Sequence, residues 1–393
     1  ATVTGLGGTR YEGIVVRTSF DIAPTLFVAP DVTEEGTGES WESPVSVTNA
    51  FALVADGGVL VLKAGRYFVT NATLTATKAL TLRGGYAGET GISVALDANG
   101  RRSVFDGDEK VATVVSLSST VAQGVIEVDR CEFVRAFKDG NTAQCFVKGG
   151  TGPATLTRCR FADSRNINRG GGRGATLSGS AASRLVMRDC VAEGNAAAAT
   201  SGYCYGPFGF SISTFDTAVL ENCQVVSNGM GWAAGAGREN GGASGLAIGG
   251  AKALVRNCLI AGNRGPLGSS GESTFGAFVL SGACDGSVIE NCRFVANRDY
   301  YNNWGYYISG ALTISASATN TPVLVKNCSF AYNSAYGAYG NKSAAALTVQ
   351  KGAVSVENTI FFKNSVAASG VGRDLHVRTA GSSAVVRYCL FEE

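Results

Sequence analysis

The residues able to do chemistry in this chain are few in kind and unevenly spread. One His, 11 Cys, 33 Lys plus Arg and 31 Asp plus Glu stand among 393 residues. His376 lies in Leu375-His376-Val377, where strand alternation turns its neighbours inward and the imidazole outward. Ser-His-Asp and Cys-His catalysis therefore find almost no support, and a single His argues against a His-rich zinc site. No C-x-x-C occurs, so metal held through cysteine is weakly supported. Acidic residues cluster twice. Asp106, Asp108 and Glu109 follow an apolar segment as Phe-Asp-Gly-Asp, which reads as a turn. Asp31, Glu34, Glu35 and Glu39 surround Gly36 and Gly38. They are a weak candidate to hold calcium through oxygen ligands, without the EF-hand spacing, since acidic Gly-rich loops are more commonly just solvated.

Aromatic residues form the most pointed group. Tyr203, Tyr205, Trp232, Tyr300, Tyr301, Trp304, Tyr306, Tyr307, Tyr336 and Tyr339 include eight of 13 Tyr and two of three Trp. All fall in one recurring loop position, with Arg238, Glu239, Arg264, Glu272, Arg298 and Asp299 among them. Rings with polar tips suit stacking on glycans or contact with protein. Packing of the loops on one another is the plainer alternative. If the chain is an enzyme, Glu239, Arg264, Glu272, Arg298 and Asp299 are the candidate catalytic residues, as carboxylates and bases beside a polysaccharide.

What positions these residues is a repeat. Cys131, Cys159, Cys190, Cys223, Cys258, Cys292 and Cys328 are followed by Thr359 in the same context and then by Cys389. Successive spacings are 28, 31, 33, 35, 34, 36, 31 and 30 residues. The local pattern N-C-x-F-x-x-N is complete in Asn291–Asn297 and Asn327–Asn333. Five residues after the Cys position stand Asn195, Asn228, Asn263, Asn297, Asn333 and Asn364, with Ala136 and Ser164 in the two earliest copies. Two further apolar segments precede each Cys, such as Ala311-Leu312-Thr313-Ile314 and Val323-Leu324-Val325. Their period-two alternation and β-branched residues mark strands. Three short strands per copy, separated by Gly, Asn and Ser, describe stacked coils, which is an all-β parallel β-helix.

Composition follows from that architecture. Gly contributes 53 of 393 residues, well above the usual share of about 7%. Gly and Asn accept the left-handed angles that sharp corners need. Charge is 16% of residues, confined to outward faces and loops. The Asn after each Phe is expected to form a ladder whose amides bond neighbouring coils. The eight ladder Cys are expected to be buried free thiols, because stacked side chains one strand apart suit a disulfide poorly. Cys145, Cys204 and Cys284 lie outside the ladder, and their state is open. A net charge of +2 argues against a nucleic-acid partner, and no apolar run is long enough to span a membrane as a helix.

The organisation expected is an N-terminal part over 1–56, with a helix near 44–55 capping the core, followed by coils over 57–393. The segments Leu26-Phe27-Val28 to Gly38-Glu39-Ser40-Trp41, Ala55-Asp56-Gly57-Gly58 and Leu82-Arg83-Gly84-Gly85-Tyr86 resemble the opening of bacterial pectin-lyase-like right-handed β-helix proteins. The F-x-x-N copies, with Gly241-Gly242-Ala243 and Gly310-Ala311 ahead of strands, are similar to the polymorphic outer-membrane-protein repeats of surface-exposed passengers. The resemblance implies a right-handed β-helix that is secreted or displayed at the cell surface, often as an adhesin. Lyases of this fold instead set calcium-holding acids beside an Arg or Lys base.

Two function classes follow. The leading expectation is a non-enzymatic surface or filament protein, with self, glycan or protein partners along the aromatic edge. The other is a polysaccharide lyase or hydrolase acting on an acidic polysaccharide. Ala1 in place of an initiator Met suggests a mature chain whose signal has been removed. The final Cys389-Leu390-Phe391-Glu392-Glu393 stops before the next corner, which suggests a downstream domain or head-to-tail stacking on another subunit.

Overall fold

The computed structural model describes residues 24–121, 124–139, 142–167, 172–198, 206–230, 243–268, 276–301, 308–317, 321–337, 343–366 and 372–392. It adds the backbone of short strands at 3–4, 15–16, 203–204 and 238–239. At 198, 230, 266–268, 300–301, 308, 336–337 and 343 only the backbone is described.

Apolar alternation in each copy drives one row of side chains inward, and stacking the copies closes a continuous core. Four parallel ladders result, here called sheets A to D. Sheet A has 12 strands from Thr25–Val28 to Ser383–Arg387, and sheet B has 11 from Gly65–Phe68 to Leu390–Phe391. Sheet C has eight from Phe137–Asp139 to Ser365–Val366, and sheet D has ten from Leu74–Ala76 to Leu375–Val377. One coil runs D, A, B, C, as in Leu246–Gly249, Lys252–Arg256, Leu259–Ala261 and Arg264–Gly268. The three strands expected per copy are those of D, A and B. Sheet C is an addition: its strands, such as Arg165–Ile167 and Ser334–Gly337, share no apolar pattern. They are strands because their backbones pair with the next coil.

The inward row of sheet A shows how the core is built. Val128, Leu156, Met187, Leu220, Val255, Ile289, Val325 and Val356 stand in register and are buried. Each such side chain contributes about 1.5–3 kcal/mol on burial. The Phe of the repeat forms ring stacks on sheet B. Tyr67, Phe105, Phe133 and Phe161 stack at 5.2–5.5 Å between centroids, and Phe294, Phe330, Phe361 and Phe391 at 4.5–5.1 Å. Ala192, Val225 and Ile260 occupy the same register between the two stacks.

Corners depend on left-handed residues. Between A and B, φ is 46–55° at Arg130, Arg158, Asp189, Asn222, Asn257, Asn291, Asn327, Asn358 and Tyr388. Between B and C the same conformation recurs at Arg135, Asp163, Ser227, Ala296, Tyr332 and Lys363. The corners are thus less exclusive than Gly and Asn alone. A non-Gly residue there costs roughly 1–2 kcal/mol, and hydrogen bonding between coils offsets it.

The Asn ladder supplies much of that bonding. The Asn228 amide nitrogen donates to the Ala192 carbonyl at 2.9 Å and to Asn263 Oδ1 at 3.1 Å. Its Oδ1 accepts from the backbone N–H and the side chain of Asn195. Asn263, Asn297 and Asn333 repeat this arrangement. Sheet D leaves room for it with a row of small residues. A Cβ at Gly174 would stand 2.9 Å from Asn195 Nδ2, and one at Gly245 would stand 3.0 Å from Asn263 Cγ. Ala277, Ala311 and Ala346 continue the row, and Cys145 occupies it at the other end.

Near the first coils, helix α1 (Val47–Leu53) forms inside the expected 44–55 segment. Ser46 Oγ accepts from the Asn49 N–H at 3.4 Å, an N-cap. Val47, Ala50 and Phe51 are buried in the main core, with Phe51 edge-on to Phe105. On the opposite face of sheet A, Phe27, Trp41, Val61 and Tyr86 form a small second core. No helix among the described residues is long and apolar enough to cross a membrane.

Candidate functional site

Sheet C is where the candidate residues of the loops begin. Each C strand starts directly after the ladder position, an Asn in all but the first two, whose backbone carbonyl fixes the first residue of the next coil's strand: the N–H of Arg264 donates to the Asn228 carbonyl, and that of Arg298 to the Asn263 carbonyl. Arg264 and Arg298 therefore stand opposite each other in register, both exposed, followed by Ser334 and Ser365 in the next coils. Asp299, one residue on, points the other way and is 3% exposed. Its carboxylate lies over Gly265, where any Cβ would collide with it. Beyond it Tyr300 stands opposite Tyr336, and Tyr301 opposite Gly337.

The remaining candidates are placed in part. Tyr203 stands opposite Arg238, and Cys204 opposite Glu239, on a short parallel pair outside the main ladders. Only the backbone is described for these and for Tyr300, Tyr301 and Tyr336. Tyr205, Trp232, Glu272, Trp304, Tyr306, Tyr307 and Tyr339 lie outside the described residues. Of the possible catalytic set, the structure brings together Arg264 and Arg298 and turns Asp299 inward.

The acidic clusters have other occupations. Asp106 is buried, held by Arg66 and by both arms of Arg135, each 2.7 Å from a carboxylate oxygen. Its Oδ1 also accepts the Asp108 N–H at 2.9 Å, closing the turn expected there. Lys110 Nζ at 2.7 Å holds the Asp108 carboxyl below the usual carboxylate range. Asp31, Glu34, Glu35 and Glu39 are exposed. Glu35 accepts the Ser46 N–H at 3.0 Å, and hydrogen bonding from Ser46 lowers its pKa. Among the described residues no three His, Cys, Asp or Glu are gathered closely enough to hold a metal ion.

The described cysteines are free. Ladder thiols hydrogen-bond to backbone carbonyls: Cys292 Sγ lies 3.2 Å from the Glu290 oxygen and 3.5 Å from the Val255 oxygen. Thr359 keeps the first bond, its hydroxyl donating to the Glu357 carbonyl at 2.9 Å. Burial pushes the Cys145 and Cys284 thiols up to about 12, so neither is a nucleophile at neutral pH. His376 is half-buried, in register with Thr348.

Two features escaped the reading of the sequence. Lys148 stands in an inward row of sheet D between Leu117 and Leu177 and is fully buried. Its Nζ donates to the carbonyls of Gly150, Gly152 and Ser178 and lies 5.0 Å from the centre of the Phe215 ring. Burial lowers its pKa to about 8. A charge at an inward position of an alternating strand was the available signal. The second feature is a row of alternating charge on sheet A, two residues before the ladder position in each coil from Cys190 to Cys389. Arg188, Glu221, Arg256, Glu290, Lys326, Glu357 and Arg387 follow one another in register.

Four parallel ladders around one core define a parallel β-helix. Residues 209–387 match the family model described as a right handed beta helix region, and the chain is an all-β right-handed β-helix. Among solved structures it is similar to the pectate lyase Pel9A, at 17% identity and a TM-score of 0.39, covering 88% of this chain and 78% of that one. It is also similar to a rhamnogalacturonan lyase, at 12% identity and a TM-score of 0.37, covering 92% and 86%. No curated protein matches the sequence.

Proposed function

We propose that this chain is an exported, non-enzymatic surface protein, a rigid β-helix whose sheet C edge contacts glycans or proteins. The observation that carries this reading is the register of sheet C, which sets Tyr300, on the strand that begins with Arg298, opposite Tyr336, on the strand that begins with Ser334. Adjacent aromatic positions on a rigid backbone form a ready stacking platform at little entropic expense. Export follows from the resemblance to surface-displayed passengers, and fractionation of the producing cells checks it.

A glycan array probed with the wild-type chain and with Tyr300→Ala/Tyr336→Ala tests the binding role. Binding that falls several-fold in the double variant, with unchanged thermal unfolding, is the expected result. Formation of unsaturated products from an acidic polysaccharide, lost in Arg264→Ala or Glu239→Ala, would replace this reading with a lyase. Head-to-tail self-association belongs to the same proposal, since a stacked helix leaves unpaired strand edges only at its two ends. Electron microscopy of the purified full-length protein is expected to show end-to-end particles; uniform single particles at all concentrations would remove that part.

A further inference from the structure

On the described strands of the four sheets, charged residues that face each other in register carry opposite signs, with one exception. Asp129 faces Arg83, Glu132 faces Arg160, and the row on sheet A alternates throughout from Arg188 to Arg387. Several of these are close ion pairs, such as Arg188 with Glu221 at 2.7 Å and Lys326 with Glu290 at 2.8 Å. The exception is Arg264 facing Arg298. Both side chains are exposed, and among the described residues neither forms a salt bridge. Their outer neighbours in the row, Gly229 and Ser334, carry no charge. Asp299, the adjoining acid, has its carboxylate over Gly265 on the other side of the sheet.

Like charges directly opposite weaken a strand pair, so this arrangement is unfavourable until an anion joins it. A planar carboxylate is satisfied by the fork of one guanidinium. Two Arg side chains rooted one strand spacing apart, about 4.8 Å, can bring their guanidiniums to one tetrahedral oxyanion whose oxygens diverge toward both. Two residues along the same strand from Arg298, Tyr300 faces Tyr336, a position suited to the ring of the sugar bearing that group. We propose that Arg264 and Arg298 bind the sulfate group of a sulfated glycan, an inference that rests on sheet C being a glycan-contacting edge.

Binding of the full chain to immobilised dextran sulfate, carboxymethyl-dextran of matched charge density, dextran phosphate and plain dextran tests it. The expected result is preference for dextran sulfate, weakening with salt, and at least tenfold loss in Arg264→Gln/Arg298→Gln. Arg184→Gln/Lys252→Gln, which removes the same charge from sheet A, is expected to bind as the wild type does. Equal loss in both double variants would overturn the site in favour of diffuse attraction. Preference for carboxymethyl-dextran or for dextran phosphate would overturn the sulfate assignment. Equal binding of all four polymers, insensitive to the Arg variant but lost in Tyr300→Ala/Tyr336→Ala, would overturn the sulfate site and leave the glycan edge standing. Binding to none of them would sink both.

Discussion

Asn263 and Lys148 show how much a single inward polar residue can decide. Asn263 bonds the Val225 carbonyl at 2.8 Å and Asn297 at 3.0 Å, and accepts from Asn228. Asn263→Ala strands several buried donors and acceptors at once, so a loss of about 2–4 kcal/mol is expected in urea unfolding. Lys148 behaves differently because its charge is the issue. Its folded pKa of about 8 lies below the ordinary 10.5. Between those values the unfolded chain holds the extra proton, so stability rises with pH across the window and is diminished below it. That rise is the contribution of Lys148 alone. The buried thiols, kept protonated by burial, lower stability as pH rises over the same range in both proteins. From pH 7.5 to pH 10 the urea midpoint is therefore expected to fall more steeply in Lys148→Met than in the wild type. Equal slopes in the two proteins would contradict the assignment. The Asn ladder was legible in the spacing of Asn195 to Asn364, because a repeated position advertises a repeated role. Lys148 occurs once, and nothing repeated pointed to it.

At the scale of elements, the three apolar strands of each coil were legible because side-chain alternation forms them. Sheet C was not, because strands such as Ser334–Gly337 owe their form to backbone pairing that the preceding sheets dictate. The candidate site inherits that difference. The position of Arg264 and Arg298 in the recurring loop was visible, whereas their mutual register depends on where sheet C begins, set by the Asn ladder. The inward turn of Asp299 also needed the sheet, since a loop has no defined faces. The charge row on sheet A makes a complementary prediction. Glu290 bridges Arg256 at 3.4 Å and Lys326 at 2.8 Å. Glu290→Lys places three cations in line and is expected to destabilise by about 1–2 kcal/mol at low salt. Added salt is expected to recover part of that loss; a salt-independent change would mean the row contributes through packing alone.

For the whole molecule, each coil touches only its neighbours, so stability is a sum of local terms. The buried ladder thiols make that sum measurable. Pulsed alkylation in rising urea, read by mass spectrometry, is expected to leave Cys131 to Cys328 unmodified in the native state and to label adjacent cysteines together as coils open. Independent labelling of neighbouring thiols would contradict coil-by-coil coupling.

The two ring stacks on sheet B give the solenoid a lengthwise texture. Tyr67 to Phe161 and Phe294 to Phe391 are aromatic columns, and Ala192, Val225 and Ile260 join them with smaller side chains. A rod anchored at one end and loaded at the other would carry tension through all three segments in series. The central one has the least apolar area in that column to hold its coils shut. Under a pulling force it would act as a fuse, letting out slack between two stiffer blocks while the columns on either side stay wound.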